Sequence, residues 1–150
     1  SPQGRVSAMK SLYTAHATAA HGGRGTGTSA TDDGKVSVSL STPKEMGGDG
    51  GPGTNPEQLF AVGYSACFLG AMKLAAKRAG KSLPDEATIT AKVSFLDRED
   101  DVGFGIAVAL EAHVPGMEQH EVEALMQKTH DICPYSWAIR DKVDVKLSAA

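Results

Sequence analysis

Aromatic side chains make up only 5% of this 150-residue chain, and no block of Lys or Arg occurs in it. Too few rings for a base-stacking platform and no basic stripe to follow a phosphate backbone exclude nucleic acid as an expected partner. The formal net charge of -3 points the same way. Cysteine is scarcer still, with Cys67 and Cys133 the only two. Two cysteines exclude a disulfide scaffold and remove any need for an oxidising compartment, so a cytoplasmic setting is expected. No apolar run reaches the length of a membrane span. The longest uncharged stretch, Gln58 to Met72, is short and rich in Ala, Gly and Ser, which suits a buried helix and predicts no membrane insertion. The first residues, SPQGRVSAMKSLYT, hold no apolar segment of the signal-peptide kind. Residues 1–8 read as a remnant ahead of the native chain, with Met9 as its expected start.

Hydrophobic residues at 41% and charged residues at 22% are ordinary values for a globular protein. Residues 9–150 are enough for one domain with a real core. Ser11–Thr18 reads as a first strand, AHGGRGTG (20–27) as a glycine-rich turn, and TDDGK (31–35) as a second turn. Val36, Val38 and Leu40 then alternate as a half-buried strand. The glycine-crowded segment 43–57 excludes regular structure and reads as a loop.

A helix is expected from TNPE, with Thr54 or Asn55 as its cap and Pro56 in its first turn, running to Ala79 and stopped by Gly80. GKS at 80–82 is no P-loop, because position 75, where its first glycine belongs, is Ala. Two strands follow at 88–96 and 104–114, joined by an acidic turn. An amphipathic helix spans 117–132, presenting Val122, Leu125, Met126 and Thr129. CPYSWAIR is a short turn or helix, and 142–147 a last strand. The order βββ-α-ββ-α-β predicts an α+β fold with antiparallel sheets.

Few residues can carry chemistry. Cys67, in the uncharged GYSACFLGAM, reads either as a small core residue or as a reactive thiol. Cys133 precedes Pro134, which pushes it out of helical geometry; it should mark a helix boundary and be the more accessible of the two. Two cysteines in a reducing compartment suggest reversible redox chemistry or metal binding. For metal, His130 and Cys133 have ligand spacing and Cys67 could be a third ligand. No CxxC pair or fourth ligand accompanies them, and His16, His21, His113 and His120 are scattered. Arg24, between glycines, is either an exposed turn residue or a guanidinium presented to an anion. Glu57 is either a first-turn helix residue or a bidentate partner for Arg24.

LYTAHATAAHGGRGTGTS, GTNPEQLFAVGYSACFLGAM and CPYSWAIR together resemble the organic hydroperoxide resistance proteins, the Ohr branch of the Ohr/OsmC family, over about Ser11 to Leu147. The resemblance implies an intertwined homodimer with sheets wrapped around central helices. It implies a cysteine-based peroxidase acting on organic or lipid hydroperoxides. By position, Cys67 matches the peroxide-attacking cysteine, Cys133 the resolving cysteine, Arg24 the arginine that activates the thiolate, and Glu57 the glutamate that orients it. A lipoyl protein or similar dithiol is the implied reductant, with no bound cofactor and no metal. The alternatives are a zinc-binding module and a non-catalytic OsmC-like domain. One departure is WAIRDK (137–142), where the family has a sequence like NATRGN.

Spacing adds a constraint. Glu57 and Cys67 are ten residues apart, about 15 Å along an unbroken helix, which is too far for both to grip one arginine easily. Either the helix breaks at Gly63–Ser65, with Ser65 capping a second helix that lowers the Cys67 pKa, or a partner subunit completes the site.

Overall fold

A computed structural model describes residues 9–150; the remnant expected at 1–8 lies outside the described residues. The described residues fall into two compact units, one ending at Asn55 and one formed by Pro56–Ala150.

The first unit is an antiparallel sheet of β1 (Ala17–Ala20), β2 (Thr28–Thr31) and β3 (Ser37–Ser39). β1 is shorter and later than the strand expected at Ser11–Thr18. Its partner β2 has only four residues, and the register Ala17↔Thr31 to Ala20↔Thr28 leaves Leu12 and Tyr13 unpaired and exposed. The β1–β2 connection closes tightly. A Cβ on Gly27 would lie 2.1 Å from the Ala20 carbonyl oxygen, so only glycine fits. Among the described residues of this unit, Leu40 is the one buried hydrophobic.

The second unit holds the core. Its first element, α1 (Pro56–Arg78), opens on proline as expected and ends in a Schellman turn. Gly80 has φ +71, its N–H donates to the Lys77 carbonyl (3.0 Å), and the Lys81 N–H donates to the Ala76 carbonyl (2.8 Å). β4 (Thr88–Asp97) and β5 (Phe104–His113) form the expected hairpin. α2 (Gln119–Ile132) buries Val122, Leu125, Met126 and Thr129, the four residues its periodicity selects. α3 (Pro134–Ile139) and β6 (Val145–Ala149) complete the unit. The sheet is mixed, not purely antiparallel: β6 pairs with β5 in parallel, because α2 and α3 form the crossover between them.

α1 is long and apolar enough to cross a membrane by length and composition alone. Its buried residues, however, pack into a protein core. Tyr64, Phe68 and Met72 recur every four residues and meet Val108 and Leu110 of β5 and Leu125 and Met126 of α2. Phe68 has no exposed surface. Phe68→Ala is expected to cost about 3–5 kcal/mol of stability, measured as a lower urea midpoint, because the cavity cannot collapse around a continuous helix.

Candidate active site

The site is built on α1, α3 and the junction before α3. Helix α1 runs unbroken through Gly63–Ser65, which overturns the expected break. The Ser65 hydroxyl bonds back to the Val62 carbonyl (3.1 Å) within the helix instead of capping a new one. Cys67 therefore lies near the middle of α1 and gains nothing from a helix start. Tyr64 and Phe68, anchored in the core on either side, hold this segment helical at the small cost of one interior glycine.

That glycine has its own use. A Cβ on Gly63 would lie 2.5 Å from the Tyr135 hydroxyl, so its absence lets the Tyr135 ring lie against α1. Tyr135 meets Phe60 edge-on at 5.7 Å and Tyr64 at 5.6 Å between ring centres.

Cys133 sits between α2 and α3 with φ -63 and ψ 123, the extended geometry that Pro134 imposes. Its backbone position matches expectation, but its accessibility does not. Cys133 is fully buried, whereas Cys67 is half-buried. The pre-proline kink turns the Cys133 side chain into the core, where it joins the cluster of Tyr64, Phe68 and Met126.

The two thiols, 66 residues apart in sequence, lie 3.5 Å apart, Sγ to Sγ, and both are free. Burial pushes the Cys67 thiol pKa up; a hydrogen bond from the Tyr135 backbone N–H acts against this, and the neighbouring Cys133 thiol adds to it. Beside the thiols, Tyr64 Oη and Ser136 Oγ share a 2.6 Å hydrogen bond, with both residues fully buried. Burial raises the Tyr64 pKa, so its hydroxyl stays protonated at neutral pH. Sequence reasoning missed this bond and the Tyr135 N–H. The available signal was a pair of buried-looking polar residues three positions from each cysteine, Tyr64 before Cys67 and Ser136 after Cys133.

Glu57 lies half-buried in the first turn of α1. Arg24 belongs to the first unit, exposed on a 3-10 turn (Gly23–Gly25) that starts from positive φ at Gly22 and Gly23. Among the described residues, no three His, Cys, Asp or Glu side chains are placed to hold a metal ion, so the zinc reading of Cys67, His130 and Cys133 lacks its ligand set. Trp137, in the segment that departs from the family pattern, remains partly exposed on α3.

His130, in the last turn of α2, has a buried Nδ1 with no hydrogen-bond partner among the described residues. Burial lowers its pKa below the ordinary 6.5; the Arg140 charge adds to this and Asp131 opposes it. The unfolded chain then binds the proton more readily than the folded one, so stability present above pH 6.5 is lost as pH falls below it. Thermal midpoints of the native protein should fall between pH 7 and pH 5, and those of His130→Gln should fall less.

Proteins of one family are similar to this chain over most of its length. The family model for OsmC-like proteins matches residues 47–148. An organic hydroperoxide resistance protein of Xanthomonas axonopodis pv. citri is 50% identical over 145 residues, covering 97% of this chain and 99% of its own. The crystal structure of an organic hydroperoxide resistance protein from Legionella pneumophila aligns with a TM-score of 0.83 at 48% identity, over 94% of this chain and 99% of that one. The crystal structure of OhrB of Bacillus subtilis aligns with a TM-score of 0.84 at 38% identity, over 93% and 100%.

Proposed function

The chain belongs to the OsmC-like protein family, in its organic hydroperoxide resistance branch, and from that premise we propose that it is a thiol-dependent peroxidase reducing organic hydroperoxides to alcohols. The observation that carries the proposal is the thiol pair: a half-buried Cys67 within 3.5 Å of a fully buried Cys133. The attacking thiol must meet substrate, and the resolving thiol is best kept from it.

In the first step the Cys67 thiolate attacks the hydroperoxide, the O–O bond breaks, and an alcohol leaves with Cys67 as sulfenic acid. Cys133 then condenses with the sulfenic acid, releasing water and forming a disulfide. A dithiol, such as the dihydrolipoyl group of a lipoyl protein, reopens the disulfide by exchange and is itself oxidised. No bound cofactor is required. The apolar stretch that carries Cys67, residues 59–70 (LFAVGYSACFLG), suits the organic part of an alkyl or lipid peroxide.

Burial works against ionising Cys67, so the thiolate needs a cation. Arg24 supplies it in this reading, and its guanidinium also stabilises charge developing on the leaving alkoxide. Glu57 orients Arg24. Because α1 is unbroken, Glu57 and Cys67 of one helix stand about 15 Å apart along its axis. That separation favours the remaining option, a site completed by a partner subunit. A homodimer also accounts for the apolar surface: Val62, Val102 and Phe104 are 68%, 80% and 61% exposed. Arg24→Ala is expected to raise the pH of half-maximal alkylation at Cys67 by about one pH unit or more, read by peptide mapping.

The direct test supplies dihydrolipoamide with an organic hydroperoxide or hydrogen peroxide. Consumption at least roughly tenfold faster with the organic substrate is expected; no consumption above the uncatalysed rate removes the proposal.

A further inference from the structure

We propose that the buried Tyr64–Ser136 hydrogen bond is a clamp that holds Cys133 against Cys67 for the resolving step, an inference that rests on the peroxidase reading above. Tyr64 lies three residues before Cys67 on α1, and Ser136 lies three residues after Cys133 on α3. The pairs Tyr64–Ser136 and Cys67–Cys133 are therefore matched rungs about one helical turn apart. The first rung, at 2.6 Å, contains no redox-active atom. The second is the thiol pair at 3.5 Å, which must close to about 2.05 Å when the disulfide forms.

The clamp has a clear task. α3 has only six residues, well under the roughly 12–15 at which a helix begins to persist alone, so contacts with its surroundings must fix its position. Aromatic packing of Tyr135 on Phe60 and Tyr64 is one such contact, but apolar packing tolerates sliding. A buried hydroxyl pair does not, because each oxygen is satisfied only in one register. A phenylalanine at position 64 would pack in the same cluster with no polar group to bury. The Tyr64 hydroxyl is thus explained by what it holds.

The chemistry gives that register kinetic value. Cys67–SOH and Cys133–SH become a disulfide and water: the S–O bond breaks, the S–S bond forms, and the thiol proton leaves with the hydroxyl. The sulfenic sulfur is reduced by the electron pair that the thiol sulfur gives up. A second hydroperoxide competes for the same sulfenic sulfur and drives it to sulfinic acid. Whatever keeps Cys133 in place sets the partition.

The test uses the full chain as wild type, Tyr64→Phe, Ser136→Ala and the double variant. Each is treated with excess cumene hydroperoxide, and the ratio of sulfinic acid to disulfide is read by intact mass. The midpoint potential of each Cys67–Cys133 pair is measured in a dithiothreitol redox buffer. Either single variant should raise the ratio about tenfold; separately, a tenfold loss in the equilibrium constant for closing the disulfide should make the potential less negative by about 30 mV.

The double variant separates positioning from mere stability. Removing both hydroxyls leaves no orphaned polar group, so a structural cost is relieved, whereas a lost clamp stays lost and the tenfold ratio persists. If Tyr64→Phe does not fold, Ser136→Ala, the smaller change, carries the test. Wild-type partition in the single variants, or its return in the double variant, overturns the clamp alone. A wild-type protein that forms no disulfide overturns the peroxidase reading and the clamp with it.

Discussion

Cys67→Ser should lower organic hydroperoxide consumption by roughly 10³-fold or more while leaving the thermal midpoint near that of the native protein. The size of the loss follows from the nucleophile. A thiolate attacks a peroxide oxygen readily, whereas a serine hydroxyl is un-ionised at neutral pH, and removing the nucleophile of a covalent mechanism removes nearly all of its acceleration. Retained stability follows from position. Cys67 is half-buried on a helix anchored by Tyr64, Phe68 and Met72, and Ser is close to it in size. Coupled consumption with dihydrolipoamide measures the first quantity and a melting curve the second. A serine variant with native activity would take the chemistry away from Cys67.

Cys133→Ser should fail in a different way. Cys67 stays free to attack, so one alcohol should be released for each oxygen atom that Cys67 takes up, and then the protein stalls. Without a thiol 3.5 Å away, the sulfenic acid persists and excess peroxide carries it to sulfinic acid, which a dithiol does not reverse. Intact mass should show the addition of one oxygen atom and then two, and turnover under excess peroxide should fall by about 100-fold or more. The contrast is diagnostic. A protein in which the cysteines are only structural would lose stability in both variants and show neither pattern. Ser at position 133 also places a hydroxyl where a fully buried thiol sat, so some loss of stability should accompany the kinetic defect.

Much of this arrangement is legible in the residues, for identifiable reasons. The periodicity of Val122, Leu125, Met126 and Thr129 selects the buried face of α2 because a surface helix has only one apolar stripe. Gly80 reads as a stop because few other residues accept its positive φ. The strands of the β4–β5 hairpin declare themselves by alternation. Other features are not legible in this way. The unbroken α1 depends on core packing around Tyr64 and Phe68 outweighing an interior glycine, a balance that no local pattern reveals. The parallel pairing of β6 with β5 is decided by where α2 and α3 deliver the chain.

The burial order of the two cysteines is not legible either, because a helix boundary suggests exposure while the direction of a kinked side chain is a tertiary fact. The pairing of Cys67 with Cys133 is implied by family resemblance and not by spacing. Its tightness, and the Tyr64–Ser136 rung beside it, emerge only when α3 is laid on α1.

The central claim is that Cys67 and Cys133 form one redox couple driven by organic hydroperoxide. Fully reduced protein treated with one equivalent of an organic hydroperoxide tests it, with free thiols and intact mass measured together. The expected result is loss of both thiols and a mass lower by two hydrogens. Retention of both thiols with the hydroperoxide unconsumed would contradict it.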